Sequence, residues 1–165
     1  CVVASIDVQV SEAGYRVYDY VQRKPLDLSP FDYAKRMQEL GAGEILVNSV
    51  ERDGSKLGFD LDLINGVCSS VTVPVICCGG AGAPGDLLEV LEQTSASAVA
   101  AGNFFHFSEH SVTITKAVLS EGNPVRHETH ASYSGSQFDQ NGRLRKKNER
   151  FLAELLYRKI EKEVI

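Results

Sequence analysis

The stretch Val73-Pro74-Val75-Ile76-Cys77-Cys78-Gly79-Gly80-Ala81-Gly82 decides the fold of this chain. Its apolar first half is rich in β-branched residues and predicts a buried parallel strand. The glycines that follow allow a turn in which the main chain can approach an anion, and Pro84 is placed to begin a helix. We therefore expect the N–H groups that open this helix to receive negative charge. A tight strand–helix connection without a ligand is the alternative interpretation.

The same order of strand, polar or glycine-rich loop and helix recurs along the chain. Alternation and helical spacing predict strands over residues 1–7, 44–49, 73–78 and 96–101, and helices over 30–40, 61–69, 84–92 and 108–119. A hairpin over residues 8–22 is predicted directly after the first strand. Four successive β-α units imply a parallel sheet with crossover helices.

Two α/β architectures satisfy this pattern: an open doubly wound sheet, and half of an eight-stranded β/α barrel of the TIM-barrel type. Because the sequence begins without Met, inside a strand pattern, we favour a C-terminal (β/α)4 half barrel over residues 1–126. Residues 127–165 are predicted as a polar arm followed by an amphipathic C-terminal helix, which either packs back on the body or docks to a partner.

The composition excludes several classes of protein. A net charge of -5 over 165 residues argues against general nucleic-acid binding. No apolar run approaches the roughly 20 residues that a bilayer requires, so we expect a cytoplasmic protein without a membrane partner. The four cysteines show no C-x-x-C spacing, and the histidines have no metal-like companions, so neither a metal nor a cofactor is predicted.

Five motifs together resemble the second half of the cyclase subunit of imidazole glycerol phosphate synthase. In order, they are Val3-Ala4-Ser5-Ile6-Asp7, Gly41-Ala42-Gly43-Glu44-Ile45-Leu46, Arg52-Asp53-Gly54-Ser55, Cys78-Gly79-Gly80-Ala81-Gly82 and Phe105-His106-Phe107. The resemblance covers residues 2–126. It implies a barrel of two similar halves, each of which holds one phosphate of a two-phosphate ribonucleotide. It also implies a glutaminase partner whose ammonia is used to form imidazole glycerol phosphate and an aminoimidazole carboxamide ribonucleotide in histidine biosynthesis.

The resemblance assigns roles to individual residues. Asp7 matches the second catalytic aspartate, a general acid/base, and its place at the end of an inward-facing strand row agrees with that role. A helix-capping or turn aspartate is the alternative for Asp7. Glu44 matches a residue of the charged ring that gates ammonia entry, for which a surface ion pair is the alternative. The implied phosphate site comprises Asp53, Gly54, Gly79, Gly80, Gly102 and Asn103.

The sequence departs from the family at the reacting ends of three strands. Asn48 stands where the family usually has Thr, and Cys78 and Asn103 stand where it usually has Ser. We expect Asn48 and Cys78 to line the pocket, where a thiol is a weaker hydrogen-bond donor than a hydroxyl. These departures, together with residues 127–165, leave a second hypothesis: a cyclase-like paralogue that relays ammonia to a nucleotide-sugar amidotransferase in surface polysaccharide biosynthesis. An unrelated phosphosugar-binding barrel is the third hypothesis.

A half barrel leaves two sheet edges and an apolar inner face uncovered. We therefore expect the chain to pair with its missing N-terminal half or with a second copy of itself. The first catalytic aspartate and the other phosphate site would lie in that missing half. The chain alone is accordingly expected to show little or no turnover.

Overall fold

A computed structural model describes residues 1–107, 111–120, 122–123 and 125, together with residues 137, 139, 145, 146, 148 and 150. The strands are β1 (Val3–Ser11), β2 (Gly14–Asp19), β3 (Lys24–Pro25), β4 (Glu44–Ser49), β5 (Val75–Cys78) and β6 (Ala98–Val99). The helices are α1 (Pro30–Glu39), α2 (Leu61–Cys68), α3 (Pro84–Gln93), α4 (Asn103–Phe107) and α5 (Ser111–Leu119). Residues 126–136 and 151–165, with most of the predicted arm and helix, lie outside the described part.

The strands form one sheet in the order β3-β2-β1-β4-β5-β6. Strands β1, β4, β5 and β6 run parallel to one another in chain order, whereas β2 and β3 add an antiparallel hairpin beside β1. The predicted α/β fold with a parallel sheet and an early hairpin is therefore confirmed.

The buried core lies on one face of the sheet. Strand residues and residues of three helices meet in one apolar cluster, whose members include Ile6, Val8, Ile45, Val47, Val75 and Cys77 from the sheet and Ala34, Leu63, Val67, Leu87 and Val90 from α1, α2 and α3. A doubly wound sheet would carry helices on both faces and would reverse its strand order. Consecutive order with these three helices on one face is instead the arrangement of a barrel wall.

Local signals set the helix boundaries. Ser29 Oγ accepts a hydrogen bond from the N–H of Asp32, Pro30 begins α1, and Gly41 follows the helix with φ +98°. Asp60 caps α2 in the same way, since its Oδ1 accepts from the N–H of Leu63 at 3.0 Å. The predicted starts of α1, α2 and α3 are confirmed.

Two predicted strands differ from the structure, and one short helix was not predicted. Strand β1 does not end at Asp7 but continues to Ser11, because its second half pairs with β2 while its first half pairs with β4. Strand β6 is reduced to two residues, although the N–H of Ser97 and of Ala100 also bond to β5 carbonyls. Helix α4 was not expected, and α5 is described only from Ser111.

The described residues contain no helix long and apolar enough to cross a membrane. Within the same residues, no three His, Cys, Asp or Glu side chains are grouped closely enough to hold a metal ion.

Candidate functional site

A row of three polar side chains crosses the sheet on the face opposite the helix-packed core. Asp7 of β1 pairs in register with Asn48 of β4, and Asn48 pairs with Cys78 of β5. The Asn48 Nδ2 donates a hydrogen bond of 2.9 Å to the Asp7 Oδ1. This row lies at the carboxyl ends of the parallel pairing, where barrel enzymes place their reacting groups.

Asn48 is the fixed member of the row. Its side chain is buried, and its Oδ1 has no hydrogen-bond partner among the described residues. Gly79, with φ +90°, makes room for it, because a Cβ at that position would lie 2.8 Å from the Asn48 Oδ1 and 2.7 Å from the Ser49 carbonyl oxygen. The amide Nδ2 therefore orients the Asp7 carboxylate, while the Oδ1 of the same amide lies beside Gly79.

Cys78 remains a neutral thiol in this environment. Burial raises its pKa, a hydrogen bond from the N–H of Gly79 opposes that shift, and the carboxylates of Asp53 and Asp7 raise the pKa further. A thiol with a raised pKa is a poor nucleophile. Cys78 thus contributes shape and a weak hydrogen-bond donor to the site.

Beside the row lies a small depression that is open to solvent. It is formed by the loops that follow β4, β5 and β6, and its described lining is Asp53, Gly54, Lys56, Cys78, Gly79, Gly80, Ala81, Ala101, Gly102, Asn103 and Phe104. The structure therefore brings together all six residues of the phosphate site implied by the sequence. Cys78 connects this depression to Asp7 and Asn48.

Close backbone contacts hold the two larger loops against each other. The N–H of Gly58 donates to the Gly80 carbonyl at 2.9 Å. Arg52 Nη1 donates to the carbonyls of Leu57 at 3.1 Å and Gly58 at 3.2 Å. Gly54 adopts φ +74°, and a Cβ there would lie 3.4 Å from the Asn103 Nδ2. Glycine thus permits the close approach of main chain and amide donors.

One expectation about the anion site needs correction. The N–H groups of Gly82 and Ala83, just before α3, both donate to the Asp86 Oδ2, at 2.8 and 2.9 Å. These donors are satisfied by the helix's own carboxylate. These two N–H groups are therefore not free to receive an external anion.

Comparison with known proteins identifies the lineage of this fold. A family model described as histidine biosynthesis protein matches residues 1–111. The chain belongs to this family. Its members share the TIM-barrel fold, in agreement with the parallel sheet and the one-sided packing of α1, α2 and α3.

Individual members of the histidine biosynthesis protein family are also similar. The imidazole glycerol phosphate synthase subunit HisF of Lactococcus lactis subsp. cremoris is 40% identical over 121 residues, which cover 72% of this chain and 47% of that protein. The subunit of the same name from Dehalococcoides mccartyi is 40% identical over 127 residues, 76% of this chain and 50% of that protein. The chain thus spans about half the length of the curated relatives it matches, and the resemblance to this cyclase subunit is confirmed.

Glu44, the family's predicted gate residue, lies apart from this site. It begins β4 and pairs in register with Val3, on the same face as Leu46 and Asn48. Two residues separate each layer along a strand, so Glu44 is two layers below Asn48. Glu44 and the Asp7–Asn48–Cys78 row therefore lie at opposite ends of one sheet face.

Two residues at the site were missed by the sequence analysis. Lys56 lines the depression and adopts φ +61°, and the loop motif Arg52-Asp53-Gly54-Ser55 ends directly before it. Tyr20, in the turn after β2, is 56% exposed and is not among the lining residues, but partial desolvation and the charges of Asp7 and Asp53 raise its pKa. The predicted hairpin after the first strand was the available signal for Tyr20.

Proposed function

We propose that this chain is the C-terminal half barrel of an ammonia-using cyclase of the imidazole glycerol phosphate synthase type. The observation that carries the proposal is the Asp7–Asn48–Cys78 row opening beside a depression lined by three glycine-containing loops. The name of the relatives, subunits of imidazole glycerol phosphate synthase, supports the substrate class.

In this proposal Asp7 is the general acid/base. The hydrogen bond from Asn48 fixes its Oδ1, so Oδ2 is the atom that exchanges a proton with the bound ligand. Because Asn48 is buried and held beside Gly79, the carboxylate direction is set before a ligand arrives. The residue therefore meets the geometric requirement for proton transfer at a strand end.

The depression would bind one phosphate of a two-phosphate ribonucleotide. Main-chain N–H groups near Gly54 and Gly80 and the side-chain amide of Asn103 are its neutral donors. The second phosphate and the first catalytic aspartate would come from an N-terminal half.

The uncovered sheet face supports an assembly of two half barrels. Val3 is 46% exposed, and Ser5 and Ala98, which line the same face, are exposed as well. We propose that an N-terminal half or a second copy of the chain covers this face. Glu44, at its far end, would then belong to the entrance through which ammonia from a glutaminase partner arrives.

The test is ammonium-driven turnover of the aminoimidazole ribonucleotide substrate by the chain joined to a family N-terminal half. Asp7→Asn should abolish turnover, whereas Asp62→Asn, at an exposed carboxylate of α2, should leave it unchanged. Equal turnover in the Asp7→Asn variant would contradict the assignment. A folded, phosphate-binding but inert assembly would favour the ammonia-relay alternative, for which the amide and thiol at Asn48 and Cys78 are the supporting observation.

A further inference from the structure

Lys56 is placed at the depression by an unusual backbone. Its φ of +61° is a conformation that residues with a Cβ rarely adopt. Gly82 makes this position accessible, since a Cβ there would lie 2.5 Å from the Lys56 carbonyl oxygen and 3.0 Å from the Lys56 Cβ. The loop after β4 is therefore pressed against the start of α3 in a strained conformation. Strain of this kind is retained where the surrounding structure imposes it, often at ligand sites.

A cation at the depression would offset the negative charges that meet there. Asp53 lines the same depression and carries a negative charge close to where a phosphate dianion would bind. Among the described residues that line it, Lys56 is the single basic one. Neighbouring Arg52 is not among these lining residues, and its Nη1 donates to the carbonyls of Leu57 and Gly58. Neutral N–H donors alone would leave the two negative charges unbalanced.

We infer that Lys56 is the cationic arm of this phosphate subsite, and that its ammonium group binds a phosphate oxygen of the phosphorylated ligand. The inference rests on the proposed function for its ligand class. It adds a charged residue to a site otherwise made of glycine backbone and one amide. The strained backbone at Lys56 holds this residue at the rim of an opening whose other described lining residues include no basic side chain.

The test is binding of inorganic phosphate to the full chain at low ionic strength, followed by phosphorus NMR. Lys56→Gly removes the charge and also suits the positive φ, so the fold should be retained. We expect phosphate affinity to fall roughly tenfold, as for the loss of one charge-assisted hydrogen bond. Lys56→Arg should retain most of the affinity. Arg23→Gly is the matched control, because Arg23 has φ +54° and is not among the residues that line the depression.

Unchanged phosphate affinity in Lys56→Gly would overturn the inference, as would an equal loss in Arg23→Gly. A wild-type chain that binds no phosphate would overturn both the subsite and the role of Lys56. The turnover assay separates these results from the proposed cyclase activity. Turnover that is insensitive to Lys56→Gly at low substrate concentration would support the proposed cyclase activity and reject the phosphate-binding role of Lys56. Lys56-dependent phosphate binding without turnover would support the role of Lys56 and reject the proposed cyclase activity.

Discussion

Replacing Gly80 by alanine should destabilise the chain strongly. Gly80 has φ +119°, and its Cβ would collide with the Gly58 carbonyl group, with 2.7 Å to its carbon and 3.2 Å to the nitrogen of Phe59. Both neighbours are backbone atoms, so the loop itself must move. The backbone conformation costs on the order of 1–3 kcal/mol, and loss of the hydrogen bond from Gly58 to Gly80 adds about 1 kcal/mol.

Together these effects predict a decrease of roughly 2–4 kcal/mol in the free energy of unfolding for Gly80→Ala. Gly85 provides the matched control, five positions later in the first turn of α3. A Cβ there meets nothing within 4 Å and its φ is negative, so Gly85→Ala should stabilise by about 0.5–1 kcal/mol.

Urea denaturation followed by far-ultraviolet circular dichroism measures both variants. In thermal melts followed by the same signal, the two melting temperatures should shift in opposite directions, by roughly 2–4 °C per kcal/mol for a chain of this size. If the free energy of unfolding of Gly80→Ala lies within about 1 kcal/mol of the wild-type value, the contact between the loops after β4 and β5 does not hold the site as described. Equal destabilisation by Gly85→Ala would show that any added methyl group is harmful here, and the argument from φ and distance would fail.

Two further predictions concern titrating groups. Burial raises the pKa of the Cys77 thiol to about 12, above the 9.0 of a free thiol. The neutral thiol therefore contributes stability below pH 9, and this contribution is lost as the pH rises toward 12. Between pH 8 and 11 the free energy of unfolding should fall less steeply in Cys77→Val than in the wild type, and identical slopes would contradict this. Tyr15 donates a 2.9 Å hydrogen bond to Asp60, and burial together with that carboxylate raises the pKa of Tyr15 to about 12. Tyr15→Phe should lower the free energy of unfolding by about 1 kcal/mol at pH 8 and remove the phenol absorbance that titrates near pH 12. An unchanged ultraviolet titration would exclude the contact.

The sequence predicted the parts of the fold that local chemistry determines. Ser29 and Pro30 mark the start of α1, and the apolar strand before Gly79 leads into the turn that the structure contains. Strand alternation also places Asp7 and Asn48 on one face, which the register confirms. These signals act over a few residues, so they can be recognised without knowledge of the partners.

Features that depend on distant partners could not be predicted in this way. The extension of β1 beyond Asp7 requires β2 on one side, and the hydrogen bond from Asn48 to Asp7 requires the register of two strands 41 positions apart. The positive φ of Lys56 depends on the space left by Gly82, which no local pattern reveals. The contact of Asp86 was likewise not predicted, because only the folded turn shows that the N–H groups of Gly82 and Ala83 donate to its carboxylate.

The double pairing of β1 has a consequence for how the molecule opens. Val8, next to Asp7, is in register with Val17 on one side and with Ser49 on the other, and its carbonyl also accepts from the N–H of Val50. Amides of a strand held on both sides exchange their hydrogens only when larger units come apart. Edge strands β3 and β6 can therefore fray while the centre of β1 stays closed. Asp7 is anchored next to this doubly paired segment, so we expect its carboxylate to keep its direction while the sheet edges fray.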